Sequence, residues 1–233
     1  MTTPHTSPST EHADDTTLVD TSAMPTIHTF FRRELRLAGG LVRGIRDGDR
    51  HRAEVVAGHL DYLRGALHHH HTIEDELLWP VLLGRVPEEL APIVHLMESQ
   101  HQRVDALLEQ VDAALPRLRQ ADDPTLRDGL ADTLDTLYVH LVEHLDAEEE
   151  RLLPIAARTL TQAEWDALGE AGRARSSRKD GLLALGMFQH DGDPGDFAKM
   201  LGHAPTPVRW VLQRAARRAF RRHALRVHGT ATP

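Results

Sequence analysis

"LHHHHTIEDELLWP" occupies residues 67–80, and "LVEHLDAEEERLLP" occupies residues 141–154. Overlaid at a shift of 74 residues, the two stretches match at Leu67/Leu141, His70/His144, Glu74/Glu148, Glu76/Glu150, Leu78/Leu152 and Pro80/Pro154. The first copy has four consecutive histidines, but a helix cannot turn four successive side chains to one side. The second copy has only His144 in this register, so the repeat selects His70 from the run. Common to both is H-x-x-x-E followed by a proline six residues after the glutamate. Spacing of i, i+4 sets histidine and glutamate one turn apart on one helix face, where both can reach the same ion. One such pair is common on solvated helices; a repeated pair at corresponding levels points to a site.

The surrounding composition is that of an all-α protein. Aromatics make up 4% of the chain, Leu, Ala, Arg and Glu abound, and neither strand runs nor hairpin signals appear. At 233 residues the chain can bury a core in one domain with an appendage. It has no cysteine, which excludes disulfides, thiolate catalysis and thiolate metal sites. Imidazole and carboxylate remain as metal ligands, from 17 His and 35 Asp+Glu. No apolar run approaches the roughly 18 residues of a membrane span, and the N-terminus lacks a basic-then-apolar signal. A cytoplasmic protein is therefore expected. The net charge of −8 is unevenly spread, at −16 over residues 1–172 and +8 over residues 173–233.

Residues 1–24, rich in Thr, Ser, Pro and Asp, are expected to be a disordered tail. A first helix is expected from Pro25 to about Gly48, weakened at Gly39-Gly40 by about 1 kcal/mol per glycine. A second runs from about Asp49 to Trp79, "PVLLGRVPEEL" (80–90) turns the chain, and a third runs from about Glu88 to Arg119. Asp123 as N-cap and Pro124 in the first turn open a fourth, continuing to about Arg158. Four long helices with short connections predict an antiparallel up-down four-helix bundle over 25–158. Residues 159–233 read as a basic helical extension: a capping box at "TQAE" (161–164), an irregular segment around 175–196, a short helix after Asp193-Pro194, and a last helix from Thr206-Pro207 to Gly229. In that last helix Val208, Val211, Leu212, Ala215 and Ala219 form an apolar stripe flanked by Arg209, Arg217, Arg218, Arg221 and Arg222. Docking against the acidic body is preferred over peripheral contact with an anionic membrane. Nucleic-acid binding is not expected, since no recognition fold accompanies the arginines.

The other two helices carry histidines at matching levels. His28 precedes His70 by 42 residues, and His101 precedes His144 by 43. From the first turn, near residue 48, His28 lies 20 residues back and His70 lies 22 forward, so both stand roughly 30 Å away at about 1.5 Å per residue. The turn near residue 122 gives nearly the same count for His101 and His144. His28, His70, Glu74, His101, His144 and Glu148 can thus meet in one layer. Burying so many ionisable groups without a metal would be expensive.

This pattern resembles the hemerythrin-like, HHE cation-binding domains, over about residues 25–158, and "EDELLWP" and "EEERLLP" are similar to the segments that follow the ligands there. The resemblance implies a four-helix bundle holding two non-haem iron ions. It also implies Glu74 and Glu148 as bridges, His28 and His70 on one iron, and His101 and His144 on the other. Iron rests on the resemblance, since a carboxylate–imidazole set also suits manganese and zinc. The sequence departs from oxygen-carrying hemerythrins four residues before His101, where Met97 replaces a histidine. Glu98 and His140 are the nearby residues that could fill the gap. His68, His69 and His71 read as solvated or supporting, Glu149 and Glu150 as a wet face, and His59 and His95 as surface residues or ordinary hydrogen-bonding partners. The implied function is binding or sensing of oxygen, NO, peroxide or iron, with a small diatomic or peroxide ligand as partner. The alternatives are a catalase-like enzyme decomposing peroxide, for which Met97 would leave an open position, and a metal-free interaction bundle.

Overall fold

The computed structural model describes residues 18–121, 123–202 and 204–233, and 1–17 of the expected tail lie outside them. Side-chain caps, first-turn prolines or both mark most of the helix starts. The elements are α1 (Ala23–Arg43), α2 (Arg50–Ile73), a π-helical turn π1 (Glu74–Leu78), α3 (Trp79–Arg85), α4 (Pro87–Leu118), α5 (Pro124–Ala147), a second π-helical turn π2 (Glu148–Leu152), α6 (Leu153–Thr159), α7 (Gln162–Arg175), α8 (Arg178–Asp191), α9 (Pro194–Met200) and α10 (Thr206–Val227). No strand occurs among the described residues. Asp49 accepts from the Arg52 N–H at 2.9 Å and Asp123 from the Leu126 N–H at 2.9 Å, capping α2 and α5. Thr161 and Glu164 cap α7 reciprocally.

The repeated proline has a structural consequence. α2, π1 and α3 run on as one rod, and so do α5, π2 and α6. In π1 the Trp79 N–H donates to the Glu74 carbonyl, and in π2 the Leu153 N–H donates to the Glu148 carbonyl. The next residue is Pro80 or Pro154, which has no N–H and whose ring would strike the carbonyl four residues back in a regular α-helix. Widening the turn accommodates the ring without ending the helix. The expected stop at Trp79 is thereby overturned: residues 80–85 are helical, and Val86 alone separates α3 from α4. At the other end α1 stops at Arg43 rather than near Gly48, whose positive φ of 76° belongs to the turn that follows.

α1 packs against α5 and α2, and α4 packs against α5 and α2, so the four long helices enclose a common interior. That interior is divided into two apolar clusters. One contains Phe30, Phe31, Leu60, Leu67, Leu134 and Leu141, and the other Leu78, Trp79, Leu90, Met97, Leu152 and Leu168. Val19 and Met24, part of the expected tail, are buried in the second cluster, and the Val19 N–H donates to the Ala157 carbonyl at 2.8 Å. α7 is clasped by ion pairs from Arg85 to Glu164 and from Arg175 to Glu76, each 2.5 Å. At Gly39 α1 lies directly against α5: a Cβ there would lie 2.2 Å from Asp135 Oδ1.

The extension differs most from expectation. The segment expected to be irregular forms α8, with Ser177 as its N-cap. Its glycine at 186 is a packing residue: a Cβ would meet the Ala216 carbonyl oxygen at 2.3 Å and Phe220 Cβ at 2.8 Å. α8 and α10 pair closely and lie on α1 and α2. The buried face of α10 is Ala216, Phe220, His223, Ala224 and Val227, whereas Val208 and Val211 of the expected stripe are exposed, as is Trp210. No arginine of α10 lies within ion-pair distance of a carboxylate among the described residues, so shape and apolar contact hold this helix rather than opposite charge. No helix of the described residues is long and apolar enough to cross a membrane.

Two glycine substitutions separate packing from propensity. Gly186→Ala forces backbone apart between α8 and α10 and is expected to destabilise the protein by about 1–3 kcal/mol in denaturant melts. Gly58→Ala, on an exposed face of α2 with nothing within 4 Å of the added carbon, is expected to stabilise by about 0.5–1 kcal/mol.

Candidate metal centre

Between the two apolar clusters lies a polar layer. His28 from α1, His70 from α2, Glu74 from π1 and Glu148 from π2 form one group whose ligating atoms lie within 4.8 Å of one another. His71 from α2, His101 from α4 and His144 from α5 form a second. The carboxylates reach both groups. Glu74 sets Oε1 at 3.2 Å from His70 Nε2 and Oε2 at 3.6 Å from His101 Nε2. Glu148 Oε2 stands 3.2 Å from His28 Nε2 and 3.9 Å from His144 Nε2. All six side chains selected from the sequence are in this layer, and all but His70, which is 10% exposed, are essentially buried.

The seventh, His71, contradicts its reading as a solvated or supporting residue. It is buried, its ring stacks on His101 at 4.0 Å between centroids, and it meets the His144 ring edge-on at 5.2 Å. One step along a helix turns the side chain by about 100°, so consecutive residues of α2 can serve different neighbours. His70 faces His28 of α1, ring to ring at 5.3 Å, while His71 faces His101 of α4. The repeat could not reveal this, because Leu145 stands opposite His71 in the overlay. Met97 is fully buried in the apolar cluster. Neither candidate for its place joins the layer: Glu98 pairs with His95 at the surface, and His140 faces Glu143 at 3.7 Å. His68 and His69 are exposed, as expected.

A further pair of acids orients two imidazoles. Asp75 Oδ1 is 3.1 Å from His101 Nδ1 and also accepts from the Trp79 indole N–H at 2.8 Å. Glu149 Oε1 is 2.7 Å from His28 Nδ1 and accepts from Arg32 Nη1 at 2.7 Å. Glu149 is thus half-buried and engaged, not part of a wet face. The overlay does signal this pairing, since Asp75 falls on Glu149 as one acid on another. A partner on Nδ1 fixes the ring and leaves Nε2 facing the layer.

The electrostatics suit a cation. Burial, then the neighbouring charge of Glu148, pushes Glu74 well above the usual carboxylate range. Burial also raises Glu148, but the adjacent His28 outweighs it and holds Glu148 low. Burial brings His70 and His144 down to about 3, and drives His71 well below its ordinary value, so these rings are neutral, the ligating form. His28 moves the other way, because Glu148 and Glu149 outweigh its burial. Both oxygens of Glu74 and of Glu148, Nε2 of His28 and of His70, and both ring nitrogens of His71 are buried without a hydrogen-bond partner. Each such atom costs roughly 1–3 kcal/mol if left unmatched. Cations among them would match the orphan lone pairs and screen the two carboxylates from each other, so the donor set fits a metal.

The Hemerythrin HHE cation binding domain family matches residues 19–157. The chain belongs to that family, whose domain binds cations, and it brings together two clusters of histidine and glutamate side chains that could hold a metal ion. No curated protein and no solved structure matches the chain.

Removing an orienting acid leaves the layer side chains in place but frees a ring. Asp75→Asn and Glu149→Gln are each expected to weaken metal retention by about 10–100-fold, read by competition with a chelator of known affinity.

Proposed function

We propose that this chain is a non-haem di-iron protein of the hemerythrin type, which binds or senses a small ligand such as oxygen, NO or peroxide in the core of an antiparallel four-helix bundle. The observation that carries this reading is the double cluster. Two carboxylates each face both groups of imidazoles, which is the arrangement that holds two ions side by side rather than one. His28, His70, Glu74, His101, His144 and Glu148 are the proposed ligands, with His71 as a seventh. Two irons would supply ferrous–ferric cycling and affinity for diatomic ligands.

The remaining work falls to the protein. Asp75 and Glu149 orient His101 and His28. Phe31 lies against His70 at 5.4 Å and Trp79 against His101 at 6.2 Å, between ring centroids, so apolar walls exclude bulk water on both sides. His71 also bears on the choice between a binding module and an enzyme. The open position expected from Met97 is the ground for a peroxide-decomposing activity. With an imidazole from α2 facing the second group, that ground weakens and ligand binding or sensing is favoured.

Elemental analysis of untagged protein, purified without nickel or chelators and reconstituted with ferrous iron, tests the reading. About two irons per chain are expected, lost in Glu74→Ala and Glu148→Ala, with a change in visible absorbance when oxygen or NO is added. Two equivalents of zinc or manganese from purification, with no iron uptake, would remove the oxygen chemistry. A folded protein that takes up no metal would sink the proposal. Peroxide breakdown lost in His101→Ala would shift the reading to the enzyme.

A further inference from the structure

A second set of metal-ligating side chains converges outside the core layer, at the junction of the bundle with its extension. Glu34 comes from α1, His59 from α2, and His228 from the residue that caps α10. Their facing atoms lie within 4.8 Å of one another. Glu34 Oε2 is 3.1 Å from His59 Nε2 and 3.0 Å from His228 Nε2. The side chains of Glu34 and His59 are fully buried, and that of His228 is 4% exposed. His59, expected at the surface or in ordinary hydrogen bonds, is therefore an interior residue. Its Nε2 is buried without a hydrogen-bond partner although it lies 3.1 Å from Glu34 Oε2. Ligand atoms on neighbouring corners of a tetrahedral ion with bonds of about 2.0–2.1 Å stand roughly 3.3 Å apart, close to the spacings seen here.

The surroundings resemble a supported metal site more than a chance contact. His223 Nε2 lies 3.0 Å from His59 Nδ1, which fixes the ring and directs Nε2 towards Glu34. Arg33 Nη2 donates to Glu34 Oε1 at 2.5 Å, leaving Oε2 to face the two imidazoles. The charge of Arg33 is in turn matched by Asp191, whose Oδ1 is 3.0 Å from Nη1. Glu34 is six residues along α1 from His28, or about 9 Å, and His59 is eleven residues before His70, or about 16 Å. The cluster is thus at a different level from the core layer and shares no residue with it.

We propose that Glu34, His59 and His228 form a separate mononuclear site for a divalent cation of the zinc type, which fastens the end of the C-terminal extension to α1 and α2. Two imidazoles and one carboxylate, with no thiolate in the chain, are a ligand set that zinc accepts at low coordination number, with water completing the shell. Glu34 and His228 are 194 residues apart in sequence, so the ion closes a long loop that α10 otherwise secures by its apolar face and the His223–His59 contact. The proposal does not depend on the identity or number of ions in the core.

The test is zinc content of the full-length chain after equilibration with Zn²⁺ and gel filtration. His228→Gln, which keeps an N–H to face Glu34, is expected to hold about one zinc fewer per chain than wild type. The same difference is expected between Glu74→Ala and Glu74→Ala/His228→Gln, where the core is already disturbed; there zinc should raise the melting temperature of the first protein more than that of the second. Truncation after Val227 removes the ligand without inserting a side chain and carries the same expectation. Equal zinc content and equal zinc-dependent shifts with and without His228 would overturn the proposal and leave the cluster as a hydrogen-bonded contact. Loss of core metal in Glu74→Ala alone bears only on the core reading.

Discussion

Two carboxylates buried against each other in the middle of a helical core are the constraint around which this structure is organised. Glu74 and Glu148 are fully shielded, neither has a hydrogen-bond partner for its oxygens, and apolar clusters close the interior on both sides. An apolar layer of the same volume would stabilise the fold more simply. The polar layer is tolerable only because imidazoles from all four long helices surround the carboxylates, and because cations can balance the charge. The metal-binding character of the family and the burial pattern therefore have one physical cause.

The π-turns stand at the same level as these carboxylates. Each begins at a layer glutamate and is closed by the N–H of the residue before a proline. A wider turn delays the helix by about one residue, while Glu74 and Leu78, and likewise Glu148 and Leu152, stay buried on their respective rods. It also carries Asp75 and Glu149 to histidines on other helices. Layer glutamate, orienting acid and proline thus form one unit, used twice. The two halves are not identical, since Trp79 supports Asp75 whereas Arg32 supports Glu149.

The extension is joined to this body by a different logic. The arginines of α10 suggest attachment by charge, yet none pairs with a carboxylate among the described residues, and Phe220, Ala216 and Val227 with His223 and His228 make the contact. Burial of apolar surface outweighs exposed ion pairs, which contribute little in water. The exposed face left behind carries Arg214, Arg217, Arg218, Arg221 and Arg222, with Trp210 under the guanidinium of Arg214 at 4.8 Å.

The helical character, the caps at Asp123 and Thr161, and the placement of His28, His70, Glu74, His101, His144 and Glu148 in one layer were all legible in the sequence. Caps act within three or four residues, and the level of a side chain on a helix follows from a constant rise per residue. What depends on a neighbour was not legible. A glycine in α8 reads as a loop until Ala216 and Phe220 are seen pressing on it. His71 reads as solvent-facing until α4 is placed beside α2, and Pro80 reads as a helix end until the turn widens to admit it. The buried stripe of α10 lies in its second half, because that is where α8 and α2 pack against it. The sequence by itself determined the helices and the level of the site through short-range, repeating geometry. Only the tertiary structure decided which faces meet, because those contacts are set by helices brought together from distant parts of the chain.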